Sequence, residues 1–97
     1  MAQIANVSLV QELKLFGGRV FDFTESAALR RAATEAPRRL SRGARPRDLF
    51  CAFKALSEAV EGLDRIARTD AGRAVEASAL AQEGALLLEE IYDLIGT

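Results

Sequence analysis

Between Arg47 and Arg68 apolar residues recur at Leu49, Phe53, Leu56, Val60, Leu63 and Ala67, at alternating intervals of four and three. That is the stripe of a helix packed lengthwise on a partner, and Phe50 and Ile66 widen it to the breadth of a globular bundle. Pro46 precedes the stripe at a position where a missing N–H costs nothing, and Asp48 complements the positive helix start. Thr69-Asp70-Ala71-Gly72 then forms a short turn, so the next helix should return antiparallel. That helix is expected from about Ala74 to Ile95. Its inner face reads Ala77, Leu80, Ala81, Gly84, Leu87, Leu88, Ile91, Leu94 and Ile95. Gly84 on this face costs about 1 kcal/mol of propensity, for which close approach of a neighbouring helix is the expected compensation. Glu76, Glu83, Glu89, Glu90 and Asp93 take the remaining faces.

Upstream, roughly Thr24–Ser41 reads as a helix that Asp22 and Glu25 help to start. Leu29, Ala33, Ala36 and Leu40 fall within about 60° of one another on a helical projection. Were the helix continuous, Arg30, Arg31, Arg38, Arg42 and Arg45 would lie within about 120° on the other side. Pro37 should kink it near the preceding turn. The first segment has two readings. Ser8-Leu9-Val10-Gln11 resembles a capping box opening a helix to Phe16, with Gly17 as its stop. Alternatively Leu13–Phe16 and Arg19–Phe23 form a hairpin around Gly17-Gly18. The helix is preferred, because an isolated hairpin is marginal beside a bundle. The expected fold is therefore all-α: an up-down antiparallel four-helix bundle with a short first helix, one domain over residues 1–97.

About half of the 97 residues are apolar, enough to fold, although so small a bundle often covers leftover apolar surface by self-association. A homo-oligomer is expected. No apolar run approaches the ~18 residues of a membrane span. The stretch from Met1 to Phe16 lacks a basic start and carries Glu12 and Lys14, unlike a signal peptide. The single cysteine, Cys51, cannot form an internal disulfide and suits a reducing cytoplasm.

Histidine is absent, which removes the commonest general base and the commonest metal ligand. With one cysteine, zinc sites and histidine-dependent triads are excluded. Neither an enzyme nor a cofactor or small-molecule site is expected. Glu89/Glu90 and Glu58/Glu61 read as solvated faces, since the di-iron bundle pattern needs Glu-x-x-His. Cys51, near a helix start and one turn from Arg47, reads as packing, as does a half-buried Tyr92. Phe16, Phe21 and Phe23 are expected to form an aromatic knot in the core.

Charge is what sets this chain apart. The formal net charge is −1, yet residues 30–48 hold seven arginines against Glu35 and Asp48, while residues 49–97 hold four basic and nine acidic groups. Arginine forks match phosphate bidentately and stack on bases. Arg30, Arg31, Arg38, Arg39, Arg42 and Arg45 are thus candidates for holding an RNA or DNA backbone. Two other readings stand beside this one: a solvated face, and a face meeting the acidic last helix of a neighbouring subunit. An acidic total and the lack of aromatics among the arginines weigh against nucleic acid.

Leu29-Arg30-Arg31-Ala32-Ala33 is followed by Pro37 four residues after the second alanine and by Gly43 six residues later. This spacing resembles that of small four-helix-bundle proteins encoded in intervening sequences of bacterial 23S ribosomal RNA. Asp48, Phe50, Phe53, Leu56, Glu58 and Leu63 continue the resemblance, which covers about 29–64. Arg38 or Arg39 and Arg42 depart from it, standing where the family has Asn and Glu. Relatives include the accessory protein of diversity-generating retroelements, which resembles a basic, pentameric bundle that binds a reverse transcriptase and nucleic acid. The resemblance implies an oligomeric helical bundle without an active site, whose partner is nucleic acid or a nucleic-acid enzyme. The runner-up function is a protein–protein adaptor or chaperone-like module docking through its basic and acidic faces.

Overall fold

The computed structural model describes the backbone of residues 2–43 and 45–96 and the side chains of 8–43 and 45–96. Helices α1 (Ala2–Phe23), α2 (Ala27–Leu40), α3 (Pro46–Thr69) and α4 (Ala74–Gly96) follow one another, with a 3-10 turn at Ala71–Arg73 before α4. Each packs on its neighbours in the chain, and α4 closes the ring on α1. Helices this long, joined by such short connections inside a body of 43 × 21 × 19 Å, must run alternately up and down. No helix among the described residues is long and apolar enough to cross a membrane.

The first helix is not short. It runs through Gly17 and Gly18 to Phe23, and neither the stop at Gly17 nor the hairpin forms. Leu9, Leu13, Phe16, Val20 and Phe23 are buried at intervals of four and three that continue straight across the glycines. Burial of this face outweighs the roughly 1 kcal/mol that each glycine costs a helix. Gly17 is also buried for a reason. A Cβ there would lie 3.0 Å from the carbonyl oxygen of Ala33 on α2, so the glycine lets the two backbones touch. That carbonyl is the one Pro37 cannot serve, having no N–H. Pro37 itself sits buried in the last turn of α2, and the helix continues past it to Leu40.

Capping of α2 differs from the expectation built on Asp22 and Glu25. Ser26 is the N-cap, its Oγ accepting from the Leu29 N–H at 3.2 Å, and Thr24 Oγ1 accepts from the Ser26 N–H at 3.1 Å. The start of α3 is as expected, with Pro46 in its first turn and Asp48 close behind.

Small residues set the spacing of the core. Ala52, Ala55 and Ala59 occupy the inner line of α3 with Leu49, Leu56 and Leu63, while Phe53, Val60, Ile66 and Ala67 are half-buried along its margins. Phe50 does not widen the buried stripe. It lies about 100° round the helix from Leu49 and is 59% exposed. The inner face of α4 is as expected, with Leu88, Leu94 and Ile95 only half-buried. Gly84 packs tightly, since a Cβ there would meet Val60 Cγ2 at 2.7 Å and the Phe16 ring at 3.0 Å. Phe16 and Phe23 are core residues, whereas Phe21 is exposed on the surface.

Candidate nucleic-acid interface

The six candidate arginines separate into groups with different work. Arg30, beside the buried Leu29, turns back toward the end of α1. Its Nε donates to the carbonyls of Phe21 at 3.1 Å and Thr24 at 2.7 Å, and its guanidinium stacks 3.8 Å over the Phe21 ring. The last carbonyls of a helix have no partner of their own, and α1 has no basic residue in its last turn. Arg73 supplies a second cap, donating to the Phe23 carbonyl and stacking 4.3 Å over the Phe23 ring. Arg30 is therefore a corner clamp between α1 and α2, its Nε engaged by backbone carbonyls and its guanidinium held against Phe21.

Arg38 and Arg39 share one carboxylate. Arg38 Nη2 donates to Glu35 Oε1 at 2.8 Å and Arg39 Nε to Glu35 Oε2 at 2.9 Å, the i,i+3 and i,i+4 pairings of a helix surface. The Arg38 side chain remains 68% exposed, while that of Arg39 lies closer in. Arg31 is exposed and makes no ion pair among the described residues, and the same is true of Arg42.

Arg42 and Arg45 do not continue the helix, as a single arginine stripe would require. The helix ends at Leu40, and Gly43 turns the chain with φ +147°, a conformation that glycine supplies readily. Arg45 becomes the cap residue of α3, and its Nε donates to Asp48 Oδ2 at 3.3 Å. Asp48 is buried, so this ion pair anchors the α2–α3 connection from outside.

What remains exposed is Arg31 and Arg38, on the side of α2 turned away from Leu29, Ala33, Ala36 and Leu40, with Arg38 paired to Glu35, and Arg42 in the turn just past the helix end. Arg31 and Arg38 are two turns apart, about 10 Å along the axis. Arg47, in the first turn of α3, is exposed and likewise without an ion pair among the described residues, although its spacing on α3 does not place it on the α2 face. Glu35 is the one carboxylate within the α2 stripe, leaving it positive on balance. The Glu35 pairings were readable from i,i+3 and i,i+4 spacing. The capping role of Arg30 had no local signal, because its partners belong to another helix.

Elsewhere charge is used for docking helices. Arg19 on α1 grips Glu83 on α4 through both Nε and Nη2, and this hydrogen bonding raises the Arg19 pKa further. Cys51 is a free, half-buried thiol on α3. No group of three or more metal-ligating side chains occurs among the described residues. Set beside known protein families, curated proteins and solved structures, the chain finds no match.

Proposed function

We propose that the chain is a non-enzymatic helical-bundle protein that holds the phosphate backbone of a nucleic acid against the outward face of α2, in a reducing cytoplasm. Arg31, Arg38 and Arg42 carry the reading. Arg31 and Arg38 project from a core-anchored helix and Arg42 from the turn that follows it; all three are exposed, and Glu35 is the one carboxylate within α2. Neutralising phosphates in this way needs no base reading, so binding should be indifferent to sequence and should weaken steeply with salt. The resemblance to bundle proteins of ribosomal RNA intervening sequences points the same way.

Fluorescence anisotropy with labelled RNA and DNA at two salt concentrations tests the proposal. The expected result is binding at low salt that Arg31→Glu/Arg42→Glu abolishes while leaving the helical circular dichroism intact. An absence of binding at low salt sinks it and leaves the protein-docking adaptor as the better reading.

A further inference from the structure

Glu35 stands alone in sign on α2, where the other charged residues are Arg30, Arg31, Arg38 and Arg39. Its side chain is only 23% exposed, and both of its oxygens are in use. Oε1 accepts from Arg38 Nη2 at 2.8 Å and Oε2 from Arg39 Nε at 2.9 Å. The other ion-paired acids among the described residues, Glu83 and Asp48, each hold one arginine. Arg31 lies one turn before Glu35, a spacing at which helical side chains also meet, yet it makes no ion pair among the described residues. The acid is thus turned toward the C-terminal end of the helix. The hydroxyls of Thr34 and Ser41 donate to the carbonyls of Arg30 and Pro37, which leaves guanidinium groups as the donors this face offers an anion.

Two guanidinium groups converging on the two oxygens of one anion is also how arginines grip phosphate, because carboxylate and phosphate present paired oxygens to the same donor fork. Glu35 therefore takes the place on Arg38 and Arg39 that a backbone phosphate would take. Its hold on them is unequal. Arg38 is the more exposed of the two and can swing outward, whereas Arg39 lies closer in beside the half-buried acid. Ion pairs on a helix surface contribute little to stability, so the Arg38 pairing yields to a polyanion at small cost. The Arg39 pairing, better covered, is the one that persists.

We propose that Glu35 is a built-in competitor for phosphate, which withholds Arg39 from a bound nucleic acid and opposes the turning out of Arg38. The inference rests on the nucleic-acid reading of α2 and deepens it. Arg39 becomes a latent fourth phosphate ligand beside Arg31, Arg38 and Arg42, and the charge of Glu35 limits how tightly the face binds. Without that charge, Arg38 and Arg39 are both free to engage the backbone.

Anisotropy titrations of a labelled DNA duplex across a salt series test this with the wild type, Glu35→Gln, Glu35→Asp and Glu35→Gln/Arg39→Ala. Glutamine keeps the length and helix propensity of glutamate and removes its charge, so circular dichroism should be unchanged. Glu35→Gln should bind about 5- to 10-fold tighter at about 0.1 M salt, and its slope of log K against log salt should steepen by about 0.9, the effect of one further phosphate contact. Adding Arg39→Ala should return the slope to that of the wild type. Glu35→Asp keeps the net charge but is one methylene too short to hold both arginines, and it should bind with an affinity between wild type and Glu35→Gln. A wild type that binds while Glu35→Gln matches it in affinity and slope overturns this inference and leaves the nucleic-acid reading standing. Glu35→Asp behaving as wild type beside a tighter Glu35→Gln would reduce the effect to net charge and overturn it too, as would a steep slope that survives loss of Arg39. No binding by any of the four at low salt overturns both the reading and the inference.

Discussion

A methyl group added at Gly17 would sit 3.0 Å from the carbonyl oxygen of Ala33, whereas one added at Gly18 would meet nothing within 4 Å. Both residues lie inside α1, so alanine gains the same helix propensity at either, about 1 kcal/mol. The difference lies wholly in what the methyl meets. At Gly17 the obstacle is backbone, which cannot swing aside, and overpacking of this kind costs roughly 1–3 kcal/mol. Gly18→Ala should raise the thermal midpoint by about 4–8 °C and Gly17→Ala should lower or fail to raise it, as measured by circular dichroism. Equal gains at the two sites would show that α1 does not touch α2 there. A second residue-scale effect involves Glu90, whose pKa is raised by partial desolvation and by the charge and hydrogen bonding of Glu12 across the α1/α4 seam, with Asp93 adding to it. Between the ordinary carboxylate pKa and this raised value, the folded state binds more protons than the unfolded chain. Stability contributed by this group therefore falls as pH rises through that window. Glu90→Gln should stabilise the protein at neutral pH by about 0.3–0.5 kcal/mol, the scale of like-charge neighbours on helices, and the gain should vanish at acidic pH. A gain independent of pH would point to helix propensity alone.

At the scale of elements, the helices that sequence periodicity located best were those whose ends carry local signals. Pro46 and Asp48 mark the start of α3, and Asp70 and Gly72 fall in the turn that ends it, so its limits lay within a residue or so of the expectation. The full length of the first helix is not legible locally, because Gly17-Gly18 looks like a stop. The signal that overrides it, the four-and-three spacing from Leu9 to Phe23, only acquires its force once α2 is there to be packed against. Phe50 misled in the opposite sense, since an aromatic beside an apolar stripe reads as core. Ala52, Ala55 and Ala59 fill the inner line of α3 instead and let its neighbours come close. For the arginines, residue type and position were legible but partners were not, and Arg30 is the clearest case. Its planar fork stacks on Phe21 while donating to two carbonyls, a combination that lysine cannot reproduce. Arg30→Lys should thus cost about 1–2 kcal/mol in urea unfolding, from lost cation–π and charge-assisted hydrogen bonding. Arg31→Lys, one residue along but facing solvent, should cost nothing measurable. If the two substitutions cost the same, Arg30 does not clamp the α1–α2 corner.

For the molecule as a whole, a net charge of −1 gives no general attraction for a polyanion, so any such binding has to be local to the basic segment. The separation of charge makes this workable. Exposed charges farther apart than about 8 Å are largely screened at physiological salt, so the carboxylates of α4 scarcely weaken a phosphate held on α2. The count of phosphates neutralised is then set by the exposed arginines that can turn to phosphate, Arg38 by exchanging its Glu35 pairing, and the salt dependence reads that count. With Arg31, Arg38 and Arg42 engaged, the slope of log K against log salt on duplex DNA should be about −3, from roughly −0.9 per phosphate. Arg31→Ala and Arg42→Ala should each flatten it by about 0.9. Arg30→Ala should lower stability while leaving the slope alone, because its Nε is engaged by carbonyls of the α1–α2 corner and its guanidinium is held over Phe21. Arg45, tied to the buried Asp48, should behave as Arg30 does. A slope that responds to Arg30 and Arg45 as strongly as to Arg31 and Arg42 would mean that the whole arginine segment rearranges on binding, and that the corner clamps are broken to free it.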